Sequence, residues 1–314
     1  MSLAGAKLPA VVRDPDLPER VEIYEVGPRD GLQNESGVVP VAVKAEFLDR
    51  LADAGLTTLE ATSFVHPKWV PQLADAAELL SVLHRRDGLD YPVLTPNERG
   101  LDRAIEAGCD HVAVFASATE TFAKRNLNRT LDEQFAMFEP TVTRAVREGL
   151  RVRAYVSMVF GDPWEGGVDP AQAAAVGARL MEMGCDQLSL GDTIGVATPA
   201  HVGAVLDACA GRGVGVDRIA VHFHDTYGQA LSNTLAALRR GVTTIDASAG
   251  GLGGCPYAGS ATGNLATEDL VWMLDGLGIA HGTDLRALVD TSVWMASQLG
   301  RPSPSRVVTA LVEG

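Results

Sequence analysis

Val221-His222-Phe223-His224-Asp225 carries two imidazoles two residues apart at the end of an apolar, β-prone run. Side chains alternate between the faces of a strand, so His222 and His224 point the same way and Phe223 the other. Two imidazoles on one face are a ready pair of metal ligands. They are as readily two hydrogen-bonded histidines at a sheet margin, so the choice depends on what the rest of the chain brings to them. Asp30 and Asn264 would complete a set of two imidazole nitrogens and two oxygens. That leaves two positions of an octahedral shell for water or a chelating substrate. Mixed nitrogen and oxygen ligation suits Mg²⁺, the preferred expectation here, and also Mn²⁺, Co²⁺ or Zn²⁺. Arg29 puts a permanent cation beside Asp30, and Glu60 is placed to pair with it. A metal with an arginine is equipment for stabilising an alkoxide or enolate. Cys255 lies in a stretch with five glycines between Gly250 and Gly259. Such a loop can bring a thiol over a site as an acid or base, or simply be a flexible turn.

These residues need elements to hold them. A recurring phrase runs through the chain: a helical stretch ends at Gly, and an apolar strand follows. It occurs at Gly55, Gly108, Gly149, Gly184 and Gly241. Glycine ends a helix in the left-handed conformation at low cost. With Val21 to Val26, Tyr91 to Leu94 and Arg218 to Val221 added, about eight strands alternate with helices. Pro40, Pro170 and Pro199 mark helix starts. The alternation predicts a parallel sheet, and the strand count predicts an α/β fold, a single (β/α)8 TIM barrel. No Gly-x-Gly-x-x-Gly follows the first strand, which weighs against a dinucleotide fold. The expected organisation is a mobile arm over 1–20, the barrel over 21–282, and a helical extension over 283–314 packed on the barrel.

Barrels of this kind do their chemistry at the C-terminal ends of the strands. The polar residues there are Glu25, Arg29 and Asp30 after the first strand, Glu60 and Ser63 with the second, and Thr95 and Asn97 after the third. Ser117, Asp162 and Asp192 follow the next three, His222 and His224 end the seventh, and Asn264 follows the eighth. Any one of them can be a capped turn; their convergence on one rim is what argues for a site.

Composition narrows the partners. The chain has 314 residues, 46% hydrophobic and 21% charged, with a formal net charge of −14. Nucleic acid is excluded as an expected partner because phosphate binding needs a basic surface. No apolar run approaches the roughly 20 residues that span a bilayer, so no membrane partner is expected. The first twenty residues lack an apolar signal core and mix acidic with basic residues, which predicts a cytoplasmic protein. Four cysteines in so long a chain are not a disulfide framework.

The blocks Glu25-Val26-Gly27-Pro28-Arg29-Asp30-Gly31-Leu32-Gln33-Asn34-Glu35, Thr62-Ser63-Phe64-Val65, Ser189-Leu190-Gly191-Asp192-Thr193-Ile194-Gly195 and His224-Asp225-Thr226-Tyr227-Gly228-Gln229-Ala230 resemble those of 3-hydroxy-3-methylglutaryl-CoA lyases. So do Gly250 to Tyr257 and Gly263-Asn264-Leu265-Ala266-Thr267-Glu268-Asp269, and the likeness runs from about Val21 to the C-terminus. The resemblance implies that Asp30, His222, His224 and Asn264 hold a divalent metal. It implies Arg29 as the enolate stabiliser and Cys255 as a mobile catalytic thiol. Asp30, Glu60, Asp192 and His222 would assist proton transfer, and Arg29, Gln33 and Ser63 would touch substrate. The implied reaction splits an acyl-CoA substrate, 3-hydroxy-3-methylglutaryl-CoA or a close 3-alkyl relative, into acetyl-CoA and acetoacetate or the matching 3-oxo acid. The alternative is a condensing acyltransferase of the isopropylmalate or homocitrate synthase type, and a homodimer is the expected assembly. Met158-Val159-Phe160-Gly161-Asp162-Pro163-Trp164-Glu165-Gly166 departs from the family's Cys-rich segment. That predicts an altered pocket wall with an added carboxylate. Ser36 replaces a lysine that would be one handle for CoA.

Overall fold

The structure is a computed structural model that describes residues 8–254 and 263–312. Its central sheet contains β1 (Glu22–Glu25), β2 (Thr58–Leu59), β3 (Thr62–Ser63), β4 (Val93–Leu94), β5 (His111–Ser117) and β6 (Arg151–Ser157). A short antiparallel hairpin, β7 (Gly161–Asp162) and β8 (Gly166–Gly167), stands apart from it. β9 (Gln187–Asp192), β10 (Ile219–Phe223) and β11 (Thr244–Ala247) complete the sheet. Every pairing in the sheet is parallel, in the order β2-β1-β11-β10-β9-β6-β5-β4-β3. The two ends of that order, β2 and β3, belong to one extended stretch interrupted at Glu60-Ala61. Across the interruption the Glu60 N–H donates to Glu25 O and the Ala61 N–H to Pro92 O, both at 2.9 Å. The sheet therefore closes on itself as eight strands, a TIM barrel as the alternation predicted.

The helix-ending glycines take the backbone the recurring phrase demanded. Gly55, Gly108, Gly149, Gly184 and Gly241 all have φ between 72° and 112°, where a Cβ would be strained. Pro170 and Pro199 open the helices Pro170–Glu182 and Pro199–Gly211, and Pro40 precedes Val41–Asp53.

Strand parity sorts the core into two parts. Val112, Val114, Val152, Val156, Leu188, Leu190, Val221, Phe223 and Ile245 face the surrounding helices in one large apolar cluster. The opposite parity faces the barrel interior. There a small cluster of Leu94, Ala113, Tyr155 and Phe115 is joined by Tyr24, Glu60, Arg153, Ser189, His222 and Asp246, all buried. An interior this polar is unusual for the fold, whose barrels mostly pack branched apolar side chains.

Residues 8–20 make backbone bonds to the stretch that follows the barrel's last strand. Val12 N–H donates to Gly276 O at 2.9 Å, and Ala280 N–H donates to Glu19 O at 2.9 Å. These backbone bonds tie the segment beneath the helix Thr267–Leu277. At the other end of the chain, the helix Leu285–Leu299 packs on Val41–Asp53. Trp294 stacks obliquely on Phe47, with the Arg50 guanidinium 4.5 Å from its ring. Among the described residues no helix is long and apolar enough to cross a membrane.

Candidate active site and metal centre

Arg29 and Asp30 sit on a single wide turn, Gly27–Gly31, directly after β1. Gly31 lets the turn lie against its neighbour, since a Cβ there would come within 2.8 Å of Ser248 Oγ. Glu60 reaches the turn from the break between β2 and β3. Its Oε2 accepts from Arg29 Nε at 2.7 Å and lies 2.7 Å from Nη2, while Arg29 Nη1 donates to Asp30 Oδ1 at 2.7 Å. The guanidinium is thus held on two sides by carboxylates, leaving N–H groups free on Nη1 and Nη2. Glu60 Oε1 is buried with no partner in the structure.

His222 is the last inward-facing residue of β10, and His224 lies just beyond the strand, as strand parity predicted. Their Nε2 atoms are 3.4 Å apart, and His222 Nε2 is 3.9 Å from Asp30 Oδ2. Asn264 arrives by a different route. Residues 263–267 run across the ends of β10 and β11: Leu265 N–H donates to Phe223 O, and Ser248 N–H to Leu265 O. This sets Asn264 opposite His224. The Asn264 amide donates to Asp30 Oδ2 at 2.8 Å and to Leu252 O at 3.0 Å. Gly253 makes room for that amide, because a Cβ there would lie 2.5 Å from Asn264 Nδ2.

The electrostatics favour a cation. Burial alone would raise the Asp30 carboxyl, but Arg29, His222, His224 and the Asn264 amide outweigh it and hold it down at about 2. Burial, then the neighbouring His222, push His224 down to about 4, so it is a neutral ligand near pH 7. For His222, burial acts downward but is outweighed by Asp246 and Asp30, which raise it. Asp30, His222 and His224 each offer a ligand atom within 4.8 Å of the others, the one such group among the described residues. Asn264 Oδ1 is buried beside them with no hydrogen-bond partner among the described residues. A buried amide oxygen without a donor ordinarily costs free energy, and a bound ion would satisfy it. The donor set therefore fits a hard or borderline divalent metal.

Other sequence candidates are not gathered there. Asp192 points to the helix side of the barrel, where its carboxylate accepts from Val196 N at 2.9 Å and Ala197 N at 3.1 Å. Burial raises it to about 6, but its oxygens are occupied by the turn rather than aimed at the cluster. Ser63 Oγ is buried between Leu94 O and Val65 N, and Gln33 is half-buried just beyond the Arg29 turn. Cys255 lies outside the described residues. Asp162 corrects the expected extra carboxylate in the pocket wall. Its Oδ2 accepts from Thr119 Oγ1 at 2.6 Å and its Oδ1 from Trp164 N at 2.7 Å, so it caps the β7–β8 hairpin. Three residues beside the site escaped the rim-based search: Arg153 and Tyr155, which lie mid-strand on β6, and Asp246, which pairs in register with His222. The signal was available as charges at inward positions inside otherwise apolar strands, since buried charges are almost always paired.

The sequence profile of the HMGL-like family matches residues 20–294. The chain belongs to this family. It is 51% identical to the mitochondrial hydroxymethylglutaryl-CoA lyase of Bos taurus over 294 residues, 94% of this chain and 90% of that one. Among solved structures, the hydroxymethylglutaryl-CoA lyase of Pseudomonas aeruginosa superposes with a TM-score of 0.92 at 46% identity, covering 95% of this chain and 99% of that one. An HMG-CoA lyase of Acinetobacter baumannii, solved with coenzyme A and 3-methylmalate, gives 0.89 at 33% identity, with coverage of 95% and 97%. The relatives correct one expectation. Curated family members at about 50% identity from Bos taurus and Rattus norvegicus are mitochondrial, so the composition of the first twenty residues does not assign this chain to the cytoplasm.

Proposed function

We propose that the chain is a lyase that cleaves 3-hydroxy-3-methylglutaryl-CoA into acetyl-CoA and acetoacetate by a metal-assisted retro-Claisen step. Family membership together with curated lyases at about 50% identity supports the reaction. The observation that carries the mechanism is the meeting of Arg29, Asp30, Glu60, His222, His224 and Asn264 at the C-terminal mouth of the barrel. Asp30, His222, His224 and Asn264 are the proposed metal ligands, with Mg²⁺ the preferred ion. When bound, such an ion supplies electrophilic pull on the substrate's tertiary hydroxyl and a neighbouring oxygen, lowering the barrier to proton loss.

The protein does the rest. Arg29 offers its spare N–H groups to the thioester oxygen as that oxygen gains enolate charge, and Glu60 and Asp30 hold the fork in one orientation. Glu60, whose Oε1 has no hydrogen-bond partner among the described residues, is the proposed proton acceptor near the reacting hydroxyl. The bond between C2 and C3 of the glutaryl chain breaks, acetoacetate leaves, and Cys255 is the proposed acid that protonates the acetyl-CoA enolate. Asp162 is engaged in the β7–β8 hairpin, so the departure at Met158–Gly166 gives no reason to move from the 3-methyl substrate. The condensing alternative is not favoured by relatives that are lyases. A homodimer is proposed on the resemblance alone, to be decided by the mass in solution.

The test is release of acetyl-CoA from 3-hydroxy-3-methylglutaryl-CoA and its 3-ethyl homologue, before and after EDTA treatment and Mg²⁺ or Mn²⁺ add-back. Loss on chelation and recovery on add-back is the expected result. Full turnover by stringently metal-free protein would sink the metal assignment.

A further inference from the structure

Directly below the two metal-facing histidines, Arg153 stands mid-strand on β6, fully buried. It reaches across the barrel interior to Asp246 Oδ1 on β11. The rings of Tyr24 and Tyr155 lie 3.8 Å and 4.9 Å from its guanidinium carbon, and Nη1 donates to Gln187 Oε1 at 2.8 Å. The other oxygen of Asp246 accepts from Ser189 Oγ at 3.0 Å and lies 3.1 Å from His222 Nδ1. A buried ion pair is often no better for stability than well-packed apolar side chains of the same volume. Stability alone does not account for this cluster, so its geometry needs another reason.

The geometry supplies one. A carboxylate oxygen can only accept, so at 3.1 Å it requires a proton on His222 Nδ1. In the neutral, metal-binding form of the ring, Nε2 at the far side then carries the lone pair. That atom lies 3.4 Å from His224 Nε2 and 3.9 Å from Asp30 Oδ2. We propose that Asp246, held by Arg153 and Ser189, is a positioning residue that fixes the tautomer and ring orientation of His222 for metal binding. It acts through His222 and touches neither the metal nor the substrate. The inference rests on the metal assignment made above. Carboxylates behind ligating histidines are a general way to orient the ring, and losing one typically weakens metal binding by about 10–100-fold.

The experiment has two arms on the full chain. Mn²⁺ affinity is measured from the electron paramagnetic resonance of the free ion, in wild type, Asp246→Asn and Ser189→Ala, with folding checked by circular dichroism. Folded Asp246→Asn is expected to bind Mn²⁺ about 10–100-fold more weakly, and Ser189→Ala to lose less, since it removes only one bond to the same carboxylate. The second arm is nitrogen-15 NMR of the wild-type imidazoles, where His222 is expected to carry a proton on Nδ1. That arm needs no variant, so it decides the question even where Asp246→Asn does not fold. A bare Nδ1 in wild type overturns the inference, as does a folded Asp246→Asn that binds Mn²⁺ as tightly as wild type. Wild-type protein that binds no Mn²⁺ instead overturns the metal assignment itself, a separate and recognisable failure.

Discussion

At the scale of single residues, Arg29 is the clearest test of whether geometry or charge matters. Its fork bridges Glu60 and Asp30 at 2.7 Å each, and a lysine ammonium cannot span both while still facing a substrate oxygen. Arg29→Lys should lose more than about tenfold in kcat/KM, or roughly 1.4 kcal/mol of barrier. Steady-state kinetics would check it, and a smaller loss would reduce Arg29 to a generic positive charge. The thiols form a second residue-scale test. Cys109, Cys185 and Cys209 are all buried. Burial pushes their thiols up to about 11, 12 and 11, so they carry almost no thiolate near neutrality and should react slowly. Limited alkylation followed by peptide mapping should label Cys255 first. Cys255→Ser should keep metal binding but lose about 10²–10⁴ in turnover, the usual worth of a positioned acid. Labelling of one of the buried three first, or a fully active Cys255→Ser, would leave the acid unassigned.

At the scale of elements, two buried carboxyls grip the backbone where β11 leads into the glycine-rich stretch. Glu25 accepts from Ala249 N at 2.8 Å, and Glu268 accepts from Gly250 N at 2.9 Å and from Ser292 Oγ. Gly250 takes φ +68 there, and Ser303 Oγ secures its carbonyl at 2.9 Å, so the C-terminal extension helps seat this turn. Burial raises Glu25 to about 7 and Glu268 to about 8. The sign follows from linkage. Both groups bind their protons more tightly in the folded chain than in the unfolded one, so their contribution to stability is complete below about pH 4.5. It is lost as pH rises through about 7 and 8. The thermal midpoint should therefore fall between pH 5 and pH 9, and Glu268→Gln should flatten the upper part of that decline. A variant with the same slope as wild type would show that Glu268 does not titrate in this range.

At the scale of the whole molecule, the proposed ligand set is assembled from distant parts of the chain. Asp30 follows β1, the histidines end β10, and Asn264 comes from the ribbon laid over β10 and β11. An ion that binds only the assembled set stabilises the folded barrel by about 2.7 kcal/mol at a hundredfold excess over its dissociation constant. Calorimetry should show a midpoint several degrees higher with Mn²⁺ than after EDTA. His224→Ala should lose that increment, because removing one of four protein ligands leaves the ion only weakly held. An equal metal-dependent rise in His224→Ala would mean that the stabilising ion sits elsewhere.

Local rules carried the fold and the rim of the site. Glycine stops, proline starts and apolar strands are decided within a few residues, and their alternation implied a barrel whose closure appeared as expected. Strand parity alone put His222 and His224 on one face, because a two-residue period leaves no freedom. The search of strand ends returned Arg29, Asp30, Glu60 and Asn264, and the resemblance gave them roles. Tertiary structure decided what those residues touch. The Asp192 and Asp162 carboxylates follow apolar strands just as Asp30 does, yet they turn to cap local backbone, because the side-chain partner is set by neighbours distant in sequence. Arg153 lay mid-strand, and Asp246, level with His222 in the register, lay before the end of β11. Only closure of the barrel brings β6, β9, β10 and β11 around one interior, where a buried charge must find its opposite and, in doing so, reaches the back of His222.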